Sequence, residues 1–315
     1  MCSFCNQHTI SGAQKAPTAQ EVREICEKAL AEARSPENTE IAFFGGSFTA
    51  IPRGYMLELL EAVQDFIGEG KFRGIRISTR PDCISEEILT VLKKYGVTAI
   101  ELGAQSMSNK VLEANDRGHT AEDVVNASTL IREYGFELGL QMMIGLYKST
   151  GDDEFETVDK ITGICPDTVR IYPVVILEGT KLSELYREGE YTTFSFDEAV
   201  EMSAIAMMRF ESGGIRVIKC GLHASEFVEK DMVGGFYHPA FRELCEGLIY
   251  RWRIEEIIGY ETGEGFDFVI AVNPSCISKA LGHKKSNAEY FRKQGINIRI
   301  IGDENIPKYQ CELRR

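Results

Sequence analysis

The chain has 315 residues, 43% of them hydrophobic and 26% charged, with a formal net charge of −13. Those values are ordinary for a globular protein with one large core or two domains. The acidic total argues against broad nonspecific binding to nucleic acid, and no run of about 18 apolar residues reads as a membrane-crossing helix.

The chain opens on Met1-Cys2-Ser3-Phe4-Cys5. A Cys-x-x-Cys pair is half of a metal or cluster site, or a redox pair. The other cysteines, from Cys26 to Cys311, are scattered and the total of nine is odd. This is no disulfide framework; it suits a reducing cytoplasm. No basic segment followed by an apolar stretch stands at the N-terminus, so no secretory signal is expected.

Short apolar, β-branched runs then recur: 41–44, 74–78, 99–102, 138–142, 169–172 and 215–218. Helical stretches lie between them, with a capping oxygen at the start and glycine just past the end. Examples are Ser85 to Tyr95 before Gly96, Thr120 to Tyr134 before Gly135, and Phe196 to Ser212 before Gly213-Gly214. Strand–helix alternation predicts parallel strands joined by right-handed crossovers. Six units favour an α/β fold built as a partial parallel (β/α) barrel of TIM type. A doubly wound sheet is the alternative, weakened because no Gly-x-Gly-x-x-Gly follows the first strand.

From Phe266 the pattern restarts as a strand to Val272, a helix from Ser275 to Gln294 interrupted near Gly282, and a strand from Ile296 to Ile301. We therefore expect a barrel over 1–225, a helical connection over 226–265 and a small basic α/β extension over 266–315. From Lys279 onward the net charge is +5, against −18 for the rest. A basic tail is a solvated surface or a phosphate-contacting face.

Small or bond-forming residues repeat at the ends of the predicted strands, where a parallel barrel gathers its chemistry. They are Gly45-Gly46-Ser47-Phe48-Thr49, Ser78-Thr79-Arg80-Pro81-Asp82, Gly103-Ala104-Gln105-Ser106, Gln141 with Gly145, and Tyr172-Pro173. Taken singly each has a plain structural reading. Arg80 suits a strand-end ion pair, and His119 and His223 suit structural roles.

Together with Cys2-Ser3-Phe4-Cys5, Asn115-Asp116-Arg117-Gly118-His119-Thr120, Met142-Met143 and Glu178-Gly179-Thr180-Lys181-Leu182, these motifs resemble the radical S-adenosylmethionine (SAM) enzymes. Within them the chain resembles the family of the catalytic subunit of Elongator, from residue 2 to about residue 200. Oxygen-independent coproporphyrinogen oxidases are similar more distantly.

The resemblance implies a [4Fe–4S] cluster on three cysteines, a SAM molecule on the open iron, and an external electron donor. Cys2 and Cys5 match the second and third cluster cysteines. Phe4 matches a residue packing near adenine, and Gly45, Gly46 and Ser47 match the strand end receiving the SAM amino group. Ser78, Gln105 and Arg117 match SAM contacts, Arg117 on the carboxylate. Gln141 and Tyr172 match ribose and adenine positions. No catalytic side chain is singled out. A tRNA base is the implied substrate, with the Lys284-Lys285 and Arg292-Lys293 clusters as phosphate contacts.

The first cluster cysteine of that pattern falls four residues before Cys2, so a barrel truncated at its N-terminus is expected, a shortened form of a longer enzyme. The alternatives are a stand-in cysteine such as Cys26, or a cluster-less relative that binds RNA or a protein partner. A zinc protein using Cys2 and Cys5 is a further rival, though no second Cys/His pair has finger spacing. The length leaves no room for the acetyltransferase domain of the Elongator subunit, so a stand-alone bacterial-type relative is expected.

Overall fold

A computed structural model describes residues 2–6, 15–223, 225–259 and 266–314. Residues 260–265, in the expected connection, and Arg315 lie outside them.

All six predicted barrel strands form. They are β1 (Glu40–Phe43), β2 (Gly74–Thr79), β3 (Val97–Gln105), β4 (Glu137–Ile144), β5 (Thr168–Pro173) and, after a short intervening strand, β7 (Arg216–Cys220). They pair in the order β1-β2-β3-β4-β5-β7, every pairing parallel. The result is an open half-barrel.

Helix α1 (Ala19–Glu32) precedes β1, and the crossovers carry α2 (Arg53–Ala62), α3 (Glu86–Lys94), α4 (Asn109–Ala114), α5 (Ala121–Glu133), α6 (Gly151–Ile164), α7 (Lys181–Arg187) and α8 (Phe196–Ser212). Several are started by side-chain caps. Thr18, Thr120, Thr150 and Ser195 each close a reciprocal capping box, which satisfies amide groups that have no partner within the helix.

Side chains alternate across the strands. Ile75, Ile77, Ile100, Leu102, Leu138, Leu140, Val169 and Ile171 are buried in one continuous core with the helices. Burial of each such side chain contributes about 1.5–3 kcal/mol. The opposite face is polar, because helices cover only one side of this parallel sheet.

Glu101, with a side chain 1% exposed, is the hub of that face. Its carboxylate accepts from Arg170 Nε at 2.6 Å and Nη2 at 3.0 Å, from Gln141 Nε2 at 3.2 Å and from Arg76 Nη1 at 3.4 Å. Arg76 also reaches Glu40 at 2.8 Å and Glu137 at 2.7 Å. One ionic lattice thus ties five adjacent strands.

Beyond β5, β6 (Val175–Leu177) pairs antiparallel with β8 (Met232–Gly235), which follows α9 (Glu226–Asp231). The segment expected as a helical connection therefore carries a strand as well as helices. It continues into α10 (Phe241–Ile258), which packs on α8 and carries the C-terminal unit. That unit is β9 (Phe266–Val272), α11 (Ile277–Leu281), α12 (Ser286–Arg292), β10 (Ile296–Gly302) and β11 (Cys311–Arg314). Its sheet runs β10-β9-β11, the first pair parallel and the second antiparallel. Tyr250, Ile254 and Ile258 of α10 share its core with Ile270, Val272 and Phe291. No helix among the described residues is long and apolar enough to cross a membrane.

Two predictions follow from buried carboxylates. Glu101→Ala leaves the Arg170 guanidinium, 20% exposed, without its main counter-charge and is expected to cost about 3–5 kcal/mol in denaturant unfolding. A change within about 0.5 kcal/mol would mark the lattice as dispensable.

Glu154, 3% exposed, accepts from Gly145 N and Ser149 Oγ at 2.8 Å each. Burial is the main cause that pushes its carboxyl up from the ordinary 4.5 to about 7. The folded state then holds a proton that the unfolded chain has released, so stability falls as pH rises from about 4.5 to 7. Glu154→Gln is expected to flatten that slope and to raise the thermal midpoint at pH 8. Parallel pH profiles for the two proteins would contradict it.

Candidate functional site

The C-terminal ends of the parallel strands share one rim, and the Cys-x-x-Cys segment sits on it. Cys5 N donates to Cys2 O at 3.2 Å, closing a tight turn that sets both thiols on one short loop. Ser3, 2% exposed, anchors the turn. Its amide donates to Asn115 O at 3.2 Å and its hydroxyl to Asn115 Oδ1 at 3.0 Å, while its carbonyl accepts from Leu182 N at 2.9 Å. Asn115, fully buried just past α4, in turn donates to Tyr147 O at 2.9 Å beyond β4.

Arg117 joins this turn to the sheet. Nη1 donates to Cys2 Sγ at 2.8 Å and Nη2 to Gly103 O at 2.7 Å near the end of β3. The guanidinium also stands 5.9 Å from the centre of the Phe4 ring. This contact fixes the Cys2 sulfur beside the end of β3. Burial pushes the Cys5 thiol up, the neighbouring Cys2 adds to this, and Arg117 offsets part of it.

Gln105 ends β3 at a register shift and with a left-handed φ of 67°. Such a bulge re-aims a side chain. Gln105 Nε2 and Arg117 Nη2 flank Gly103, at 2.9 Å and 3.4 Å from where a Cβ on that glycine would stand. Gly103 thus leaves room for both side chains. Gln105 Oε1 and Arg117 Nε are buried with no hydrogen-bond partner among the described residues. A buried unpaired acceptor and donor beside one glycine match a ligand carrying an ammonium and a carboxylate.

The remaining predicted residues fall at neighbouring strand ends. Gly45 and Gly46 follow β1 with φ of 112° and 153°, both exposed, and Gly46 has open space where a Cβ would stand. Ser47 begins the short turn of helix over 48–50. That segment is tied to the next by Thr49 Oγ1, 2.6 Å from Thr79 Oγ1. Ser78 Oγ accepts from Gln141 Nε2 at 3.3 Å, so the second and fourth strands meet there. Tyr172 lies two residues after Arg170 on β5, and burial pushes its phenol up.

Arg80 pairs with Asp82, as a strand-end ion pair would. His119 is buried and its Nε2 lies 3.2 Å from Ala104 O, while His223 is exposed. Among the described residues, no three His, Cys, Asp or Glu side chains converge as a metal site.

Sequence reasoning missed Glu101, Arg170, Arg76, Ser3 and Asn115. A signal was present for the first three: each is a charge two residues before Ser78, Gly103 or Tyr172 inside an otherwise apolar run.

Residues 1–161 match the model of the radical SAM superfamily, and residues 166–251 match that of the radical SAM C-terminal domain. A tRNA uridine(34) acetyltransferase of Methanocaldococcus jannaschii is 35% identical over 133 residues, which is 41% of this chain and 25% of that protein. Human Elongator complex protein 3 is 28% identical over 192 residues, 54% of this chain and 35% of that protein. The chain thus spans about a quarter to a third of these relatives. The solved structure of archaeal Methanocaldococcus infernus Elp3, with an N-terminal deletion, superposes with a TM-score of 0.56 at 24% identity, over 67% of this chain and 57% of that one. It shares the fold. With a family model covering half of its length and the strand-end motifs gathered on one rim, this chain belongs to the radical SAM superfamily.

Proposed function

We propose that the chain is a radical SAM enzyme acting on a base of tRNA. The observation that carries this reading is the assembly around Gly103, where Arg117 spans the cysteine turn and the strand end. Cys2 and Cys5 would hold a [4Fe–4S] cluster with a third cysteine, which the family places before Cys2. When bound, the cluster and SAM supply electron transfer and a 5′-deoxyadenosyl radical that removes a hydrogen atom from the substrate.

The chain's own groups bind and orient. Arg117 holds the Cys2 sulfur against the strand end, and its unpaired Nε would donate to the SAM carboxylate. Gln105 Oε1 would accept from the ammonium, alongside the open backbone of Gly45, Gly46 and Ser47. Phe4 offers a flat face to adenine. Ser78, Gln141 and Tyr172 line the ribose and adenine side, held in place by the Glu101 lattice. The tRNA substrate rests on the similarity to tRNA uridine(34) acetyltransferases and on the basic C-terminal unit.

The test is anaerobic reconstitution of the chain, extended upstream to supply a third cysteine, with SAM and dithionite. Iron and sulfide in near-equal amounts, and 5′-deoxyadenosine by mass spectrometry, are expected. Cys5→Ser should abolish both. Arg117→Ala should weaken SAM binding by about tenfold to a hundredfold, the loss of one charge-assisted hydrogen bond. Zinc without sulfide, or a cluster with no 5′-deoxyadenosine, would overturn the reading in favour of a zinc protein or a binding module.

A further inference from the structure

The C-terminal unit places two helices, α11 and α12, between the parallel strands β9 and β10. The turn joining the helices is Gly282-His283-Lys284-Lys285. Its φ angles are positive at Gly282 (77°), Lys284 (52°) and Lys285 (63°). Side chains avoid this backbone region, which glycine enters freely. Two consecutive lysines held there are a local strain that surrounding structure must sustain.

The surroundings do so. Asn287, fully buried, donates from Nδ2 to Gly247 O at 2.7 Å and to Ala280 O at 3.1 Å. Its Oδ1 accepts from Arg251 Nε at 3.1 Å. Gly247 of α10 has no side chain where the turn presses closest, a Cβ there meeting Gly282 Cα at 3.3 Å. His283 packs edge-on against His238 at 5.5 Å and lies 3.1 Å from Glu243 Oε2. The turn is pinned at its base and its lysines project.

Charge singles out the same place. Lys279, Arg292 and Arg314 are consumed in ion pairs with Glu246, Glu289 and Asp303. Lys284, Lys285, Lys293, Arg299 and Lys308 are exposed and form no ion pair among the described residues. They belong to the stretch of net charge +5 in a chain that is otherwise strongly acidic. Unanswered cations on a rigid turn attract a polyanion without first breaking internal pairs.

Position matters as well. α10 begins at Phe241, packed against Gly221 just past the end of β7. Gly247 lies six residues on, about 9 Å along the helix. The lysine turn therefore packs on the first half of the helix that starts at the rim end of β7.

We propose that this turn clamps the sugar–phosphate backbone of a single-stranded stretch of RNA, docking the molecule whose base is presented to the rim. A βααβ unit with a Gly-x-x-Gly turn between its helices is the plan of KH modules, which clamp RNA backbone with that turn. Here Gly282 keeps the first glycine, and Lys285 takes the second place in the left-handed conformation. The proposal rests on the RNA reading of the preceding section. It is independent of cluster and SAM.

The test is fluorescence polarisation of the full chain, without SAM or cluster, against a labelled single-stranded RNA 12-mer and against tRNA, at about 50 and 200 mM salt. The paired variant Lys284→Gly with Lys285→Gly removes both charges and suits the backbone. It is expected to weaken binding of both RNAs at least tenfold, and to lower the logarithmic salt slope by about 1.4, the share of two phosphate contacts on a single strand. The paired arginine variant should retain binding, as should Lys28→Ala on the distant α1. An unaltered chain that ignores RNA at low salt, a glycine variant that binds as before, or equal binding of poly-glutamate would overturn the proposal. RNA binding through this turn in a chain that makes no 5′-deoxyadenosine would overturn the enzyme reading while upholding this one.

Discussion

Parallel pairing is the constraint on which the molecule depends. Each strand but the last must be followed by a crossover before the next can pair in the same direction, and right-handed crossovers place the covering helices on one face. All strand C-termini therefore fall on one rim. Residues far apart in sequence, from Gly45 to Tyr172, become neighbours through this rule alone. The same rule leaves the inner face without helical cover, so it can be polar. The Glu101 lattice fills it: one carboxylate is shared among Arg170, Arg76 and Gln141, from three other strands. Charges this buried need several partners to offset desolvation, and Glu101 has them.

Arg117 makes the rim into a site. It is buried, and it bonds the Cys2 thiol and the Gly103 carbonyl at once. The cysteine turn has no core of its own; Asn115, Leu182 and Arg117 supply its anchorage. Two unpaired polar atoms, Gln105 Oε1 and Arg117 Nε, remain at this junction. The buried charges of Glu101, Arg76 and Arg170 are all paired on this face, whereas these two atoms stand open beside the cysteine turn, where a ligand would complete their hydrogen bonding. The C-terminal unit reaches the rim through one long helix, α10, which shares cores with both parts.

Much of this was legible in the sequence, for physical reasons. The barrel strands are short β-branched runs, and Ser85, Thr120 and Ser195 cap the helices after them. The interruption at Gly282 was visible because glycine punctuates helices. What was hidden depends on distance or on backbone shape. Glu101 and Arg170 are 69 residues apart, and nothing local to either reveals the pair. Val175–Leu177 follows the predicted fifth run too closely to read as a strand of its own; its pairing with the glycine-containing strand Met232–Gly235 makes it a separate sheet. β11 has four residues and takes its conformation from β9. Left-handed lysines at 284 and 285 carry no sequence signature, since lysine does not announce a positive φ. Arg117 was expected on a carboxylate; its bond to the Cys2 thiol was not, because the turn that brings Cys2 there is fixed by Ser3 and Asn115.

The proposed function stands on the junction at Gly103, where SAM would meet the cysteine turn. Electron paramagnetic resonance of the reduced, reconstituted chain tests it most directly. Adding SAM is expected to change the cluster signal in the unaltered protein, and to leave it unchanged at the same SAM concentration in Gln105→Leu with Arg117→Met. A spectrum indifferent to SAM in the unaltered chain, or a full response in the double variant, would contradict the account.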